Sequence, residues 1–213
     1  MSYKPKYDLR GGFRAVARTA GTTVVAAHTA SAGHLFAFRW DPAITTLYAY
    51  LRYVGVKFVL TTAYGTDQET GVGLYMARPY TVNHTGGAAV DTGTTVVASG
   101  KRRSAQADSS LLVNSVRVGT TGALTAGTHT LDANPVAAVS QFLAVVGDEL
   151  PLAASGESTA PATLWDSRAS GEHLVIAPDE GFIISNTVVM GATGVGDWTF
   201  TIEWDEGTPN GGQ

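Results

Sequence analysis

Cysteine is absent from all 213 residues of this chain, and charged residues are scarce at 15%. The lack of cysteine excludes disulfides, zinc ribbons and thiol nucleophiles. Basic and acidic residues number 14 and 18, so the chain lacks the basic excess that supplies most of the affinity of a general nucleic-acid binder. We therefore expect no nucleic-acid partner.

Long apolar runs are also missing. The N-terminus, MSYKPK, is polar and lacks the apolar core of a signal peptide. The most apolar region, residues 47–60, is interrupted by Arg52 and Lys57 and is too short to cross a bilayer. We expect a protein with no membrane partner.

Residues typical of helix surfaces are few, whereas Gly, Ala, Thr and Val dominate. β-Branched side chains favour strands, and glycine favours the turns between them. Phe36, Phe38 and Trp40 alternate, as do the apolar residues from Trp198 to Trp204. This period of two places each row on one face of a strand.

Many short strands predict an all-β protein, an antiparallel β-sandwich of jelly-roll type. Residues 44–63 fit a helical stripe or a strand interrupted at Arg52, and their Tyr, Val and Thr content favours one long strand. We expect a bulge in this strand at Gly55. Only residues 135–143 suggest a helix. We expect one domain at 15–206, an N-terminal arm at 1–14 and a flexible tail at 207–213.

Motifs for catalysis are missing from the sequence. There is neither a Gly-x-Ser-x-Gly elbow nor a phosphate-binding loop, so no enzymatic activity and no cofactor are predicted. The five histidines, His28, His34, His84, His129 and His173, show no metal-ligand spacing and are interpreted as surface or strand-edge residues. The acidic residues near the C-terminus, Asp197, Glu203, Asp205 and Glu206, are interpreted as a solvated strand face.

Two basic segments are candidates for contact with a partner. One contains Lys4, Lys6, Arg10 and Arg14, and the other contains Lys101, Arg102 and Arg103. The first is either an arm that reaches a neighbouring subunit or an ordinary ragged terminus. The second is either a plain exposed loop or a patch that meets an acidic surface.

Aromatic residues leave a second function open. Tyr48, Tyr50 and Tyr53, or Trp165 and Trp198, would stack on sugar rings if a sheet face exposed them. Aromatic strand residues in a sandwich are more often part of the core.

The order of several segments resembles a family of head-associated virion structural proteins of tailed bacteriophages. These segments are FAFRW (36–40), the strand at 47–59, ARPYTV (77–82), GG (86–87), KRRS (101–104), ALTAGTHTLDANP (123–135), LWD (164–166), EGFII (180–184) and TIEWDE (201–206). The resemblance implies a capsid decoration or cement protein on the virion surface, made in the cytoplasm of a host. Its implied partners are the major capsid protein and further copies of itself, often as a homotrimer. The alternative is a carbohydrate- or receptor-binding module of a tail or spike.

Overall fold

The computed structural model describes residues 7–23, 28–29, 32–90, 100–101, 108–125, 127–143, 145–150 and 161–209. These residues form strands and one short helix, α1, at Ser167–Ser170. None of the helical structure in this described part is long and apolar enough to cross a membrane. The strands are β1 (Tyr7–Arg18), β2 (His34–Trp40), β3 (Tyr48–Thr62), β4 (Gln68–Val82), β5 (Ala88–Ala89), β6 (Gly100–Lys101), β7 (Val116–Val118), β8 (Thr128–Leu131), β9 (Ala137–Leu143), β10 (Glu149–Leu150), β11 (Ala162–Asp166), β12 (Leu174–Ile176), β13 (Glu180–Asn186) and β14 (Val195–Pro209).

The strands form two antiparallel sheets. The first has the order β10-β3-β14-β1-β6, with β11 and β12 also paired to β3. The second has the order β5-β7-β2-β13-β4-β8, with β9 also paired to β4. From β1 to β4 the chain alternates between the two sheets. Near the end of the chain, β13 lies between β2 and β4 in the second sheet, and β14 lies between β3 and β1 in the first. This connectivity is that of a jelly roll, and the predicted fold class is confirmed.

The core lies between the sheets and is built from the two predicted aromatic rows. Phe36 on β2 lies 5.3 Å from Phe200 on β14, and Phe38 meets Trp204 edge to face at 5.4 Å, measured between ring centroids. All four side chains are fully buried. Burying one such side chain contributes about 1.5–3 kcal/mol, so these rows supply much of the stability of the sandwich.

The long strand expected within residues 44–63 is confirmed as β3. In its pairing with β14, Tyr53 lies opposite Glu203 and Leu51 opposite Trp204, so Arg52 is left as an extra residue. Such a bulge reverses the side-chain alternation on either side of it. The bulge of this strand therefore lies at Arg52, where the sequence pattern is interrupted, and the bulge expected at Gly55 is wrong, because Gly55 pairs in regular register with Thr201.

Both predicted chain ends require correction. β1 begins at Tyr7 and pairs with β14 along its length, from Tyr7 opposite Pro209 to Arg18 opposite Thr199. Residues 7–14 therefore belong to the sheet and are not an arm. Likewise β14 runs to Pro209, so residues 207–209 are strand and not tail. Residues 1–6 and 210–213 lie outside the described part, where the arm and the tail remain predictions.

The helix suggested for residues 135–143 is wrong. This segment forms β9, which pairs antiparallel with β4 from Leu143 opposite Gln68 to Ala137 opposite Leu74. Its side chains alternate between half-buried and exposed positions up to Leu143. The long β4 offers an unpaired edge there, and pairing with that edge outweighs the weak helix preference of the segment.

Candidate functional site

Three histidines that are far apart in the sequence meet on the second sheet. His34 is the first residue of β2, His84 lies in the turn after β4, and His129 is in β8. One ring nitrogen from each lies within 4.8 Å of the other two. We call these residues the histidine cluster. It lies on the face turned away from the first sheet, because Phe36 and Phe38 point into the core between the sheets.

A bulge directs His34 to this outer face. Ile184 of β13 pairs with Phe36, and the next residue, Ser185, pairs with His34, so that Leu35 is an extra residue. Without the bulge, His34 would share the inner face with Phe36. With it, Leu35 enters the main core and His34 turns outward.

Strand pairing and turn contacts place the other two histidines. His129 lies directly opposite Tyr80 in the pairing of β8 with β4. His84 follows Tyr80 by one short turn, and Thr85 next to it exchanges backbone hydrogen bonds of 3.0 and 3.2 Å with Thr125. These contacts bring three separate segments of the chain to one point.

A small second core shelters the cluster. It consists of buried apolar side chains on the outer face of the second sheet, namely Ala37, Ala77, Tyr80, Leu124 and Ile183, with Leu131 packed against them. The backbone N–H of Leu124 donates to the carbonyl of His34 at 2.8 Å, and this hydrogen bond holds the segment around Leu124 against the start of β2. His34 and His84 are almost completely buried here, and His129 is half-buried.

A directional hydrogen-bond chain connects Tyr80, His84, His34 and Thr29. Nε2 of His34 lies 3.0 Å from the carbonyl oxygen of Thr29, which can only accept, so this nitrogen carries the proton. Nδ1 of neutral His34 is then an acceptor, and it takes a hydrogen bond from Nε2 of His84 at 2.8 Å. Nδ1 of His84 accepts in turn from the hydroxyl of Tyr80. The carbonyl oxygen of Thr29 thus determines the tautomers of both His34 and His84.

Burial keeps both of these histidines neutral. Burial lowers the pKa of His34 to about 4; the hydrogen bond to the Thr29 carbonyl opposes this lowering, and the nearby His129 and His28 add to it. Burial likewise lowers the pKa of His84 to about 3, with further lowering by His34, His129 and Arg117. Burial also raises the pKa of Tyr80. At neutral pH His34 and His84 therefore present uncharged imidazoles, which is the form that binds metal ions.

His28 and Tyr75 form the rim of the cluster. Their rings stack with centroids 3.7 Å apart and an interplanar angle of 10°. His28 lies 6.0 Å from His34 between ring centroids, and burial followed by the nearby His129 lowers its pKa. The rim covers one side of His34.

The prediction that the histidines are surface or strand-edge residues is therefore wrong for His34 and His84. His173 lies apart, edge to face with Tyr50. Sequence spacing contained no signal for the cluster, because 50 residues separate His34 from His84. Local metal motifs place ligands on one helix or one loop, whereas this cluster depends on strand pairing.

One described residue of each basic segment, Arg14 in β1 and Lys101 in β6, lies near the same edge of the first sheet. β6 pairs with β1, so that the backbone of Lys101 lies opposite Phe13, next to Arg14. The exposed Arg14 side chain lies 4.0 Å from Glu203. Arg10 is in β1, and the structure describes only its backbone. Lys4, Lys6, Arg102 and Arg103 lie outside the described residues.

The acidic residues at the C-terminus are not all solvated, which corrects the sequence interpretation. Glu206 is fully buried and accepts hydrogen bonds from Ser109 Oγ at 2.5 Å, Ser110 N at 3.0 Å and Trp204 Nε1 at 3.3 Å. Asp205 is also buried. Glu206 therefore anchors the segment that begins at residue 108 to the last strand.

The aromatic residues proposed for sugar stacking are mostly unavailable. Trp198 and Tyr50 are buried, and Tyr48, Tyr53 and Trp165 are half-buried. Among the described residues, the strongly exposed aromatic side chain is Phe142, at 69%. A flat aromatic platform is not formed by the predicted set.

Comparisons with known proteins leave the family open. No family model matches the chain, and none of the curated proteins matches it. Among solved structures, it is similar to VP1 of Trichodysplasia spinulosa-associated polyomavirus in complex with 3'-sialyllactose, with 11% identity, a TM-score of 0.33 and coverage of 98% of this chain and 99% of that one. It is also similar to the VP1 pentamer of Human Polyomavirus 7, with 8% identity, a TM-score of 0.30 and 97% coverage of both chains. These overlaps are too loose to establish a shared fold or a shared function.

Proposed function

We propose that this chain is a structural protein of a virus particle, which decorates or cements a bacteriophage head and associates with copies of itself. The proposal rests on the positions, in the fold, of the segments that resemble the head-associated virion proteins. Segments 36–40, 77–82, 180–184 and 201–206 fall on β2, β4, β13 and β14. These are framework strands of the jelly roll, so the resemblance concerns the scaffold of a structural protein.

The basic edge of the first sheet supports a route of attachment. β6 pairs with β1 so that the backbone of Gly100 lies opposite Arg14 and that of Lys101 opposite Phe13. The exposed Arg14 side chain and the backbone of Lys101 thus lie near one edge of the first sheet, which would meet an acidic surface of the major capsid protein. Complementary charge of this kind speeds association and orients the partners.

Location can be tested by immunogold labelling of purified particles of the phage that encodes the chain. Gold on the head supports the proposal. Gold on the tail or spike contradicts decoration and favours a receptor-binding module. Particles without label overturn the virion assignment.

Attachment can be tested with two matched variants. We expect Arg14→Ala to lower occupancy on capsids and to make binding more sensitive to salt, whereas Arg168→Ala, at a similarly exposed arginine on α1, leaves occupancy unchanged. Equal occupancy of both variants contradicts the basic-edge contact. Deletion of the N-terminus must stop at residue 6, because residue 7 begins β1.

Self-association can be measured by light scattering on the isolated chain. One copy has a mass of 22.1 kDa, so a trimer should scatter as about 66 kDa. A mass of one copy at micromolar concentration would contradict self-association in the absence of the capsid.

A further inference from the structure

We propose that His34, His84 and His129 together bind one divalent transition-metal ion of the zinc type. The site is independent of the virion role, and it stands on the geometry of the histidine cluster alone. Imidazole nitrogen suits Zn²⁺, Cu²⁺ and Ni²⁺, and the cluster offers neither a thiolate nor a carboxylate. We take Zn²⁺ as the ion to test.

The spacing of the three donors is close to that of a tetrahedral site. Zinc–nitrogen bonds of about 2.0–2.1 Å at tetrahedral angles place two ligand nitrogens about 3.3 Å apart. Nδ1 of His34 and Nε2 of His84 are 2.8 Å apart. With one ring nitrogen taken from each histidine, every nitrogen–nitrogen distance in the cluster is 4.8 Å or less. An ion would separate the first pair slightly and draw His129 inward by a rotation of its side chain.

Partners outside the donor set are already in place for two of the ligands. A histidine bound to a metal almost always donates its other N–H to a carbonyl, a carboxylate or water, which orients the ring. Nε2–H of His34 donates to the Thr29 carbonyl at 3.0 Å. On the far side of His84, the Tyr80 hydroxyl contacts Nδ1.

Binding requires only one proton to move within the hydrogen-bond chain. Without the ion, Nε2–H of His84 donates to His34. With the ion, Nε2 of His84 becomes a ligand, its proton moves to Nδ1, and Nδ1–H donates to the oxygen of Tyr80, which can accept as well as donate. The ion thus takes the place of the shared proton, and every nitrogen of the two rings keeps a partner.

The bound ion would cross-link three segments of the chain. It would join the first residue of β2, the turn after β4 and β8. Three imidazoles leave the fourth tetrahedral position for a water molecule. Because the unfolded chain holds no such site, the affinity for the ion adds to the stability of the fold.

The test uses the full chain without an affinity tag, treated with EDTA, then dialysed and titrated with ZnCl₂ by calorimetry. We expect one ion per chain, and a melting temperature that rises by about 5 °C or more at a hundredfold excess over Kd. Substitution of Co²⁺ should give the visible absorption bands of a four- or five-coordinate ion.

His129→Gln is the decisive variant. It removes one ligand while the chain from Tyr80 to Thr29 stays intact, so the protein should fold. Its affinity for Zn²⁺ should fall by more than about 100-fold, and Tyr80→Phe, which removes only an outer partner, should weaken binding by about 10-fold. His173→Gln, a histidine outside the cluster, should bind as the unmodified protein does.

Three results would overturn the site. They are the absence of saturable binding up to millimolar Zn²⁺, an affinity of folded His129→Gln within threefold of the unmodified protein, and a loss of binding in His173→Gln equal to that in His129→Gln.

Discussion

Acid should destabilise this protein well before its carboxylates titrate, because two buried histidines resist protonation. The pKa of His34 is about 4 and that of His84 about 3 in the folded protein, against 6.5 for an ordinary histidine. The unfolded chain therefore takes up protons at a pH where the folded chain does not. The stabilising contribution is complete above pH 6.5 and is lost as the pH falls towards 4.

The size of the effect follows from these pKa values. Holding the pKa of His34 at about 4 makes protonation of the folded form less favourable by about 3 kcal/mol. Between pH 6 and pH 5 both histidines are mostly protonated in the unfolded chain and neutral in the folded one. The free energy of unfolding should fall by about 2 kcal/mol over this single pH unit. That loss is a large part of a typical stability of about 5–15 kcal/mol.

Urea denaturation at pH 7.0, 6.0, 5.5 and 5.0 measures this slope. EDTA is present throughout, so that metal binding makes no contribution. His84→Gln should reduce the slope by about half, and His173→Gln should leave it unchanged. If the free energy of unfolding stays constant within about 0.5 kcal/mol from pH 7 to pH 5, the two imidazoles are not held neutral by the fold, and the reasoning fails.

Further predictions concern the core and the backbone. Glu206→Ala should lower the free energy of unfolding by about 3 kcal/mol in urea denaturation, because three donors lose their acceptor, and the Glu206→Gln control should lose less. Trp204→Ala should cost about 3–5 kcal/mol, whereas Phe142→Ala at an exposed position should stay within about 0.5 kcal/mol; similar losses would contradict the assigned core. A Cβ at Gly181 would lie 2.0 Å from a carbonyl oxygen of β2, so Gly181→Ala should lower the melting temperature strongly or yield insoluble protein. Gly122→Ala, with nothing within 4 Å of the added Cβ, should melt as the unmodified protein does.

Much of the fold was predictable because alternation is a local property. Phe36, Phe38 and Trp40 are buried on one face, as are Trp198 and Trp204, and each pattern needed no distant contact to be recognised. The break in alternation at Arg52 is also local, although the bulge was expected three residues later, at Gly55. The chain ends were not predictable, because polar residues near a terminus can be either a free arm or an edge of a sheet.

The histidine cluster was not predictable, for two physical reasons. Its members come together only when β8 pairs with β4 and the turn after β4 folds back. His34 also points to the outer face because of a bulge at Leu35, and a regular strand would place it with Phe36 in the main core. The basic residues show the same limit, since the adjacency of Arg14 and Lys101 depends on β6 pairing with β1.

The sequence by itself determined that this protein is all β, because alternating aromatic and β-branched residues can bury one face only as strands. It also excluded thiol chemistry, because the chain has no cysteine. Tertiary structure alone decided which strands pair, which polar groups become buried and where the three imidazoles meet. Those outcomes depend on the register between segments that lie from about fifty to about two hundred residues apart, and no local pattern specifies that register.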